Sequence, residues 1–380
     1  MSHAQALYQW TDRVQQLFPD LQPHHARDLA HYSFGAALAR SCGLVRVVAH
    51  LAALLLCSFH ALRQRLRELY QPAAVQRGSA RATFDDTLCF GPLLRWAAAA
   101  QKDRRLVLAL DPTCHRDRFR VLGASVLYQG CALPVAWLVQ AADQKGSWNA
   151  IWKDLLGRLP AALGAGWQVL VLTDRGLESA ALFRAIVGLG WHPLRRVKKA
   201  GTFRPEGWHK GYAISGFAAA LGRRWAGAGL AYPGGEKRSC TLLAGWEPGH
   251  EEAWLLLTDL PPRAAQPAWY AWRMWIEHGF KVGKSGCWQW QKTRMTDPER
   301  AARLWAVLAV ATLWMMEIGG EGAALTLPGL PRLVRLVQAG LVRVLTALCR
   351  GEALPQGCLL EQDWPEGGWE PDQLTDTKLQ

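Results

Sequence analysis

Four polar residues of one predicted helix have the types and spacing needed to handle a phosphodiester. Apolar periodicity predicts a helix over Pro267–Lys284, in which Tyr270, Arg273, Glu277 and Lys284 follow one another at intervals of three, four and seven residues. At about 3.6 residues per turn, these intervals keep the four side chains on one face. Glu can bind a hard cation through oxygen, Arg can hold a phosphate with two N–H groups, and Lys adds a positive charge. The face also fits an exposed salt-bridged helix, because Arg273 and Glu277 form an ordinary i,i+4 pair.

Two aspartates each follow an apolar run that predicts a strand. Asp111 follows Arg105–Leu110, and Asp174 follows Trp167–Thr173. If these strands are neighbours in one sheet, the two carboxylates converge, and a helix packed on the sheet could add Glu277. Three close carboxylates repel one another unless cations neutralise them, which predicts two Mg²⁺ or Mn²⁺ ions. Taken singly, an aspartate after a strand is more often a turn or cap residue.

The elements that must position these residues predict an α/β fold. Residues 1–75 show helical periodicity, with Pro and Gly at the breaks. From residue 104 the predicted order is β-β-β-α-β-α-β, which indicates a mixed sheet with covering helices. Residues 200–262 are rich in Gly and short apolar stretches and predict a β-rich insertion, after which helices return.

The aspartates and the helix face together resemble a known signature. The pattern Y-x2-R-x3-E-x6-K at residues 270–284, preceded by Leu-Asp111-Pro-Thr and Thr-Asp174-Arg-Gly, is similar to that of bacterial DDE transposases of insertion-sequence family four. The resemblance covers roughly residues 104–318. It implies an RNase H-like fold in which Asp111, Asp174 and Glu277 hold the two metal ions.

The resemblance also implies roles for the neighbouring residues. Tyr270, Arg273 and Lys284 hold the phosphate near the cleaved DNA end. The segment Ala253-Trp254-Leu-Leu-Leu-Thr258 resembles the one whose Trp stacks on a flipped base during hairpin formation, a contact generally worth ~1–3 kcal/mol. The alternative for Trp254 is an ordinary core position in a strand.

The chain is strongly basic, with a net charge of +13 and a pI near 9.6, which predicts a polyanionic partner. One basic run is expected to contact the DNA backbone without reading its sequence. The alternative is a solvated strand edge whose charges discourage aggregation. The run consists mainly of Arg195, Arg196, Lys198 and Lys199.

Membrane insertion and disulfide formation are not expected. The apolar runs Gly43–Cys57 and Leu304–Met316 fall short of the ~18–20 residues that a spanning helix needs. Nine scattered cysteines contain no C-x-x-C pair, which favours free thiols in a reducing cytoplasm over a disulfide framework or a zinc site.

The sequence therefore predicts a cut-and-paste DDE transposase that binds transposon ends and target DNA and acts as a homodimer on DNA. Two alternatives remain open: a catalytically silent DNA-binding relative and an RNase H-like nuclease. The expected organisation has five parts: a helical DNA-binding domain and linker at 1–100, the catalytic core at 101–199 and 265–320, the β-rich insertion at 200–264, and a C-terminal helical segment and tail at 321–380.

Overall fold

The computed structural model describes residues 3–77, 81–232, 237–320, 332–365 and 371–372. Of the predicted C-terminal segment 321–380, only the last two of these ranges are therefore described. The α-helices within the described chain are α1 (His3–Leu17), α2 (Pro23–Ala39), α3 (Leu44–Leu55), α4 (Phe59–Glu68), α5 (Phe90–Ala98), α6 (Asn149–Gly157), α7 (Ala180–Gly188), α8 (Trp275–Lys281), α9 (Pro298–Gly320) and α10 (Arg332–Arg350).

One sheet of ten strands runs through the molecule, in the order β3-β2-β1-β4-β5-β10-β9-β8-β6-β7. Strand β1 pairs in parallel with β4, β4 pairs in parallel with β5, and all other neighbours are antiparallel. The strands are β1 (Arg105–His115), β2 (Phe119–Tyr128), β3 (Cys131–Ala141), β4 (Gln168–Thr173), β5 (His192–Arg196), β6 (Thr202–Pro205), β7 (Tyr212–Ala213), β8 (Arg224–Ala231), β9 (Arg238–Gly245) and β10 (Trp254–Thr258).

The first five strands confirm the predicted RNase H-like mixed sheet. Their order is 3-2-1-4-5, with β2 antiparallel to β1 and β3 and with parallel β1, β4 and β5. The near-continuous apolar residues of β1 and β2 are buried, as expected for strands that are covered on both faces. Helix α8 contacts β3 and β1 on one face, and α9 also packs on β3.

The strands of the β-rich insertion extend this sheet. Strand β10 pairs with β5 through Leu256 and Arg196, and β9, β8, β6 and β7 follow it outward. They bury a second apolar cluster, which includes Phe203, Phe217 and Trp225.

The N-terminal helices share the main hydrophobic core with the sheet. The ring of Trp10 in α1 stacks on that of Trp314 in α9 at a centroid distance of 4.0 Å, and Arg13 forms an ion pair with Glu317 at 2.6 Å. Helix α9 is long and apolar enough to cross a membrane, but 94% of its most apolar stretch is buried inside the protein. Its apolar surface is therefore used in packing the core.

Candidate active site

The strand register brings Asp111 and Asp174 side by side. Parallel β1 and β4 pair up to Leu110 and Thr173, so the next residue of each strand is one of the two aspartates. Neighbouring strands lie about 4.8 Å apart, and both side chains leave the sheet at the same edge. The sequence predicted that the strand ends at Asp111. In the structure β1 continues to His115, because its last residues pair with β2.

Glu277 reaches this edge because α8 packs unusually close to the sheet. A Cβ on Gly279 would lie 2.9 Å from the carbonyl oxygen of Ala132 in β3, so only glycine fits there. A Cβ on Gly123 in β2 would lie 3.1 Å from the ring of Phe280. These two contacts set the height of α8 above the sheet.

The segment that carries the four-residue signature is not one α-helix, as the sequence predicted. It is a 3₁₀-helix over Pro267–Met274, α8 over Trp275–Lys281, and a π-turn over Val282–Gly286. A 3₁₀-helix has 3.0 residues per turn, so the interval of three still aligns Tyr270 with Arg273.

Arg273 links two of the three carboxylates. Its Nη1 lies 3.4 Å from Oδ1 of Asp111 and its Nη2 lies 3.5 Å from Oε1 of Glu277, which limits the separation of the two carboxylate oxygens to about 9 Å. The Arg273 and Asp111 side chains are only 13% and 16% exposed, whereas that of Glu277 is 53% exposed. Glu277 is therefore the member of the set that is freest to move.

Burial is the main cause that raises the pKa of Asp111 to about 7. The charges of Asp174 and Glu277 add to this rise, and those of Arg273 and Lys284 oppose it. The repulsion shows that Asp111 is close enough to the other two carboxylates to be affected by both charges. Asp174 has its own partners, because its Oδ1 accepts hydrogen bonds from the amides of Gly176 and Leu177 at 2.9 and 3.2 Å.

The three carboxylates supply the oxygen ligands that Mg²⁺ and Mn²⁺ prefer. Their mutual repulsion is the kind that a cation relieves. Among the described residues, however, no three His, Cys, Asp or Glu side chains form a ready-made metal cluster. The guanidinium of Arg273 stands between two of the carboxylates instead. The donor set thus fits the metal chemistry, and in this structure Arg273 offsets part of its negative charge.

Lys284 and Tyr270 lie beside this centre. The Nζ of Lys284 donates to Oγ1 of Thr113 at 2.5 Å, two residues beyond Asp111 in β1. Burial raises the pKa of Tyr270 to about 12, an effect that Arg273 opposes and Asp174 reinforces. Thr113 was not among the predicted site residues, although the two-residue repeat of a strand puts it on the same face as Asp111.

Trp254 begins β10 beside the same tyrosine. Its ring lies 5.6 Å from that of Tyr270 in an edge-to-face arrangement and 4.7 Å from that of His250. The side chain is half-buried, so it is neither a closed core position nor a freely exposed ring.

The predicted basic run divides into buried and exposed members. Arg195 is only 1% exposed, and its guanidinium donates to the carbonyl oxygens of Ser179 and Leu177. The prediction that Arg195 contacts DNA is therefore wrong in this structure, because its charge faces the protein interior. The two lysines, Lys198 and Lys199, are exposed.

Arg196 belongs to a cluster of charges that joins distant parts of the sequence and was not predicted as a whole. Glu252 lies 2.6 Å from Arg196, 3.1 Å from Arg175 and 3.4 Å from Lys199. One carboxylate therefore holds three cations at the end of the sheet that carries Asp174, and the cluster keeps an excess of positive charge.

Comparison with known proteins places the chain among DNA-processing enzymes. The family described as "Transposase DDE domain" matches residues 105–314, more than half of the chain. No curated protein matches. A solved structure with a similar arrangement is the cryo-EM structure of the piggyBac transposase synaptic complex with hairpin DNA. It has 10% sequence identity and a TM-score of 0.41, over 91% of this chain and 79% of that one.

Proposed function

The chain belongs to the DDE transposases, enzymes that cut and join DNA with divalent metal ions, and from this premise we propose that it mobilises an insertion sequence of family four by cut-and-paste transposition. The observation that carries the proposal is the register of β1 and β4, which sets Asp111 beside Asp174, together with the contacts of Arg273 to Asp111 and Glu277.

Asp111, Asp174 and Glu277 are proposed to hold two Mg²⁺ or Mn²⁺ ions. When bound, such a pair activates water or a 3′-hydroxyl and stabilises the leaving oxygen of an in-line displacement on phosphorus. The strand edge supplies the two fixed ligands, Asp111 and Asp174. The more exposed Glu277 can turn toward the ions once Arg273 releases it.

Arg273, Tyr270 and Lys284 are proposed to hold the phosphate beside the metal ions. Arg273 exchanges its carboxylate partners for the phosphate, since a guanidinium binds either anion with two N–H groups. Lys284, anchored on Thr113, adds a second cation close to Asp111. This exchange couples DNA entry to opening of the metal site.

Trp254 is proposed to stack on a base turned out of the duplex, during a hairpin step at the element end. Its half-buried ring beside Tyr270 supports this role, because a base stacked there would lie next to the residues that hold the phosphate.

Two basic surfaces are proposed to carry the DNA. One is the cluster around Glu252, formed by Arg175, Arg196 and Lys199, together with the exposed Lys198. The other is a cavity of about 750 Å³ between α3, α4 and the start of α9. Its lining cations are Arg46, Arg63, Arg67, Lys292, Arg294 and Arg300. The second surface would give residues 1–100 their DNA-binding role.

Two copies are proposed to pair the two ends of the element, in the cytoplasm of a bacterial cell. The copies need one active site for each end, and each chain carries one set of carboxylates.

Glu277→Gln tests the proposal. The variant keeps the size of the side chain but removes the charge, so we expect Mg²⁺-dependent cleavage of a labelled inverted-repeat duplex to fall at least about a hundredfold. Glu251→Gln makes the same change at an exposed position and should leave cleavage unchanged.

The same assay separates the alternatives. Salt-sensitive DNA binding without cleavage by the wild-type protein would favour a silent DNA-binding relative. Cleavage without any strand-transfer product would favour an RNase H-like nuclease. Equal cleavage by wild type and Glu277→Gln would remove the role given to Glu277.

A further inference from the structure

A second polar cavity lies on the other side of the segment that follows Asp174. It has a volume of about 590 Å³ and opens between the N-terminus of α7 and the strands β6 and β9. Its lining includes Ser179, Ala180 and Ala181 of α7, together with Lys198 and Arg238.

Arg238 points a buried positive charge into this cavity. The residue is 7% exposed, and its Nε and Nη1 have no hydrogen-bond partner among the described residues. The guanidinium lies 5.1 Å from the ring of Phe183 and 5.5 Å from that of Tyr232. Rings attract the cation but do not accept its N–H groups as an oxygen anion does. A buried guanidinium without acceptors is costly, so this one is suited to an anionic ligand.

Within the part of the chain that the structure describes, the surrounding cations also lack a free counterion. Arg195 lies close enough for Arg238 to lower its pKa, after the larger effect of burial, and its Nε has no hydrogen-bond partner either. The nearby carboxylate is that of Glu178, which accepts from the hydroxyl of Tyr232 and from the amide of Lys198. One engaged carboxylate thus faces Arg195, Arg238 and Lys198.

The first turn of α7 adds donors to the same cavity. The Oγ of Ser179 accepts from the amide of Leu182 at 3.3 Å, which leaves the first-turn amides at Ala180 and Ala181 without an acceptor in the helix. Such amides, at the positive end of the helix dipole, bind phosphate oxygens well.

We propose that this cavity is a phosphate-binding site, with Arg238, Lys198 and the first turn of α7 as its donors. The phosphate comes either from the backbone of a DNA strand or from a free phosphate ion. The DNA source rests on the proposed function. The DNA source is favoured because the segment between Asp174 and α7 is short and held in place at both ends. Its amides donate to Asp174, and its carbonyl oxygens accept from Arg195. A strand held here would pass next to the metal-binding edge.

Ala181→Glu tests the site without disturbing the buried arginine. Ala181 is exposed at the cavity wall, and a Glu in the first turn of a helix favours folding, whereas its charge repels phosphate. Ala181→Gln is the matched neutral variant. Val187→Glu adds the same charge at the exposed far end of α7. The readouts are duplex-DNA affinity by fluorescence anisotropy without divalent ions, and stabilisation against heating by inorganic phosphate at constant ionic strength.

If the phosphate belongs to DNA, Ala181→Glu weakens duplex binding about tenfold. The slope of log affinity against log salt concentration falls by about one, which corresponds to one lost phosphate contact. The affinities of Ala181→Gln and Val187→Glu stay within about twofold of wild type. If the ligand is free phosphate, the ion stabilises wild type and Ala181→Gln but not Ala181→Glu, and DNA affinities are alike. Folded Arg238→Gln should show the same loss of phosphate binding as Ala181→Glu in the corresponding assay.

Equal DNA affinity and equal phosphate stabilisation in all variants would overturn the proposal. That result is separate from failure of the proposed function. The phosphate readout needs neither metal nor cleavage, and DNA cleavage that depends on Glu277 would stand without this site.

Discussion

At the scale of single residues, the site is organised by one guanidinium among carboxylates. Arg273 contacts both Asp111 and Glu277 and so places a positive charge between them. This arrangement keeps the acidic side chains together before metal binds, because it offsets their repulsion. We therefore expect the stability of the metal-free protein to depend on Arg273 and on the protonation of Asp111.

Asp111→Asn should stabilise the metal-free protein in a pH-dependent way. The pKa of Asp111 is raised from 3.8 to about 7, so the folded state binds a proton more tightly than the unfolded state. The contribution of this carboxyl to stability is therefore present at low pH and lost as the pH rises from about 4 to about 7. Asn at this position does not titrate. The melting temperature of Asp111→Asn minus that of wild type should therefore be roughly 1–3 °C larger at pH 8 than at pH 5.

Melting curves in a chelator at the two pH values provide the measurement. Asp12→Asn, which removes an exposed carboxylate, controls for the change in net charge. A difference between Asp111→Asn and wild type that is the same at pH 5 and pH 8 would argue against a raised pKa at this position.

Residue types and spacing indicated which carboxylates would lie together, but not the partners of those carboxylates. The register places Asp111 next to Asp174, as their positions after apolar runs predicted. Arg195 is the opposite case, since a run of basic residues does not reveal which side chain turns inward. That depends on β5 being an interior strand whose alternate side chains face α7.

At the scale of elements, the segment from Pro267 to Gly286 departs most from expectation. Spacing predicted one α-helix, and the segment instead changes from 3₁₀ to α to π geometry. Each change alters the rotation per residue, and the segment as built lets Arg273 reach Asp111 and Lys284 reach Thr113 in β1. Local sequence does not report this change, because it is imposed by packing on the sheet.

Gly279→Ala should separate α8 from the sheet. Its Cβ would lie 2.9 Å from a backbone oxygen of β3, whereas a Cβ on Gly283 meets no atom within 4 Å. Both substitutions favour helix by about 0.5–1 kcal/mol. We therefore expect Gly279→Ala to lower the melting temperature and to reduce cleavage about tenfold or more, while Gly283→Ala does neither.

The comparison of the two alanine variants isolates the close approach. Thermal melting and cleavage of the same duplex measure it. If Gly279→Ala behaves like Gly283→Ala in both assays, the height of α8 above the sheet is not what positions Glu277.

At the scale of the whole molecule, the fold class was predictable and the long-range pairings were not. Alternation and helical periodicity indicated a mixed sheet with helices, and the sheet has that form. The pairing of β10 with β5 joins residues about sixty apart in the chain, and the sequence between them carries no signal for that partner. The same holds for the shared core of α1 and α9, which rests on contacts such as Trp10 with Trp314.

The central claim is that folding brings three distant carboxylates into one cation pocket. Bound Fe²⁺ in place of Mg²⁺, with peroxide and ascorbate, generates radicals that cut the polypeptide near the ion. We predict cuts near residues 111, 174 and 277 in one experiment, all suppressed by excess Mg²⁺ and by Asp111→Asn. Cuts near only one of these positions, or cuts that persist in Asp111→Asn, would contradict a shared site.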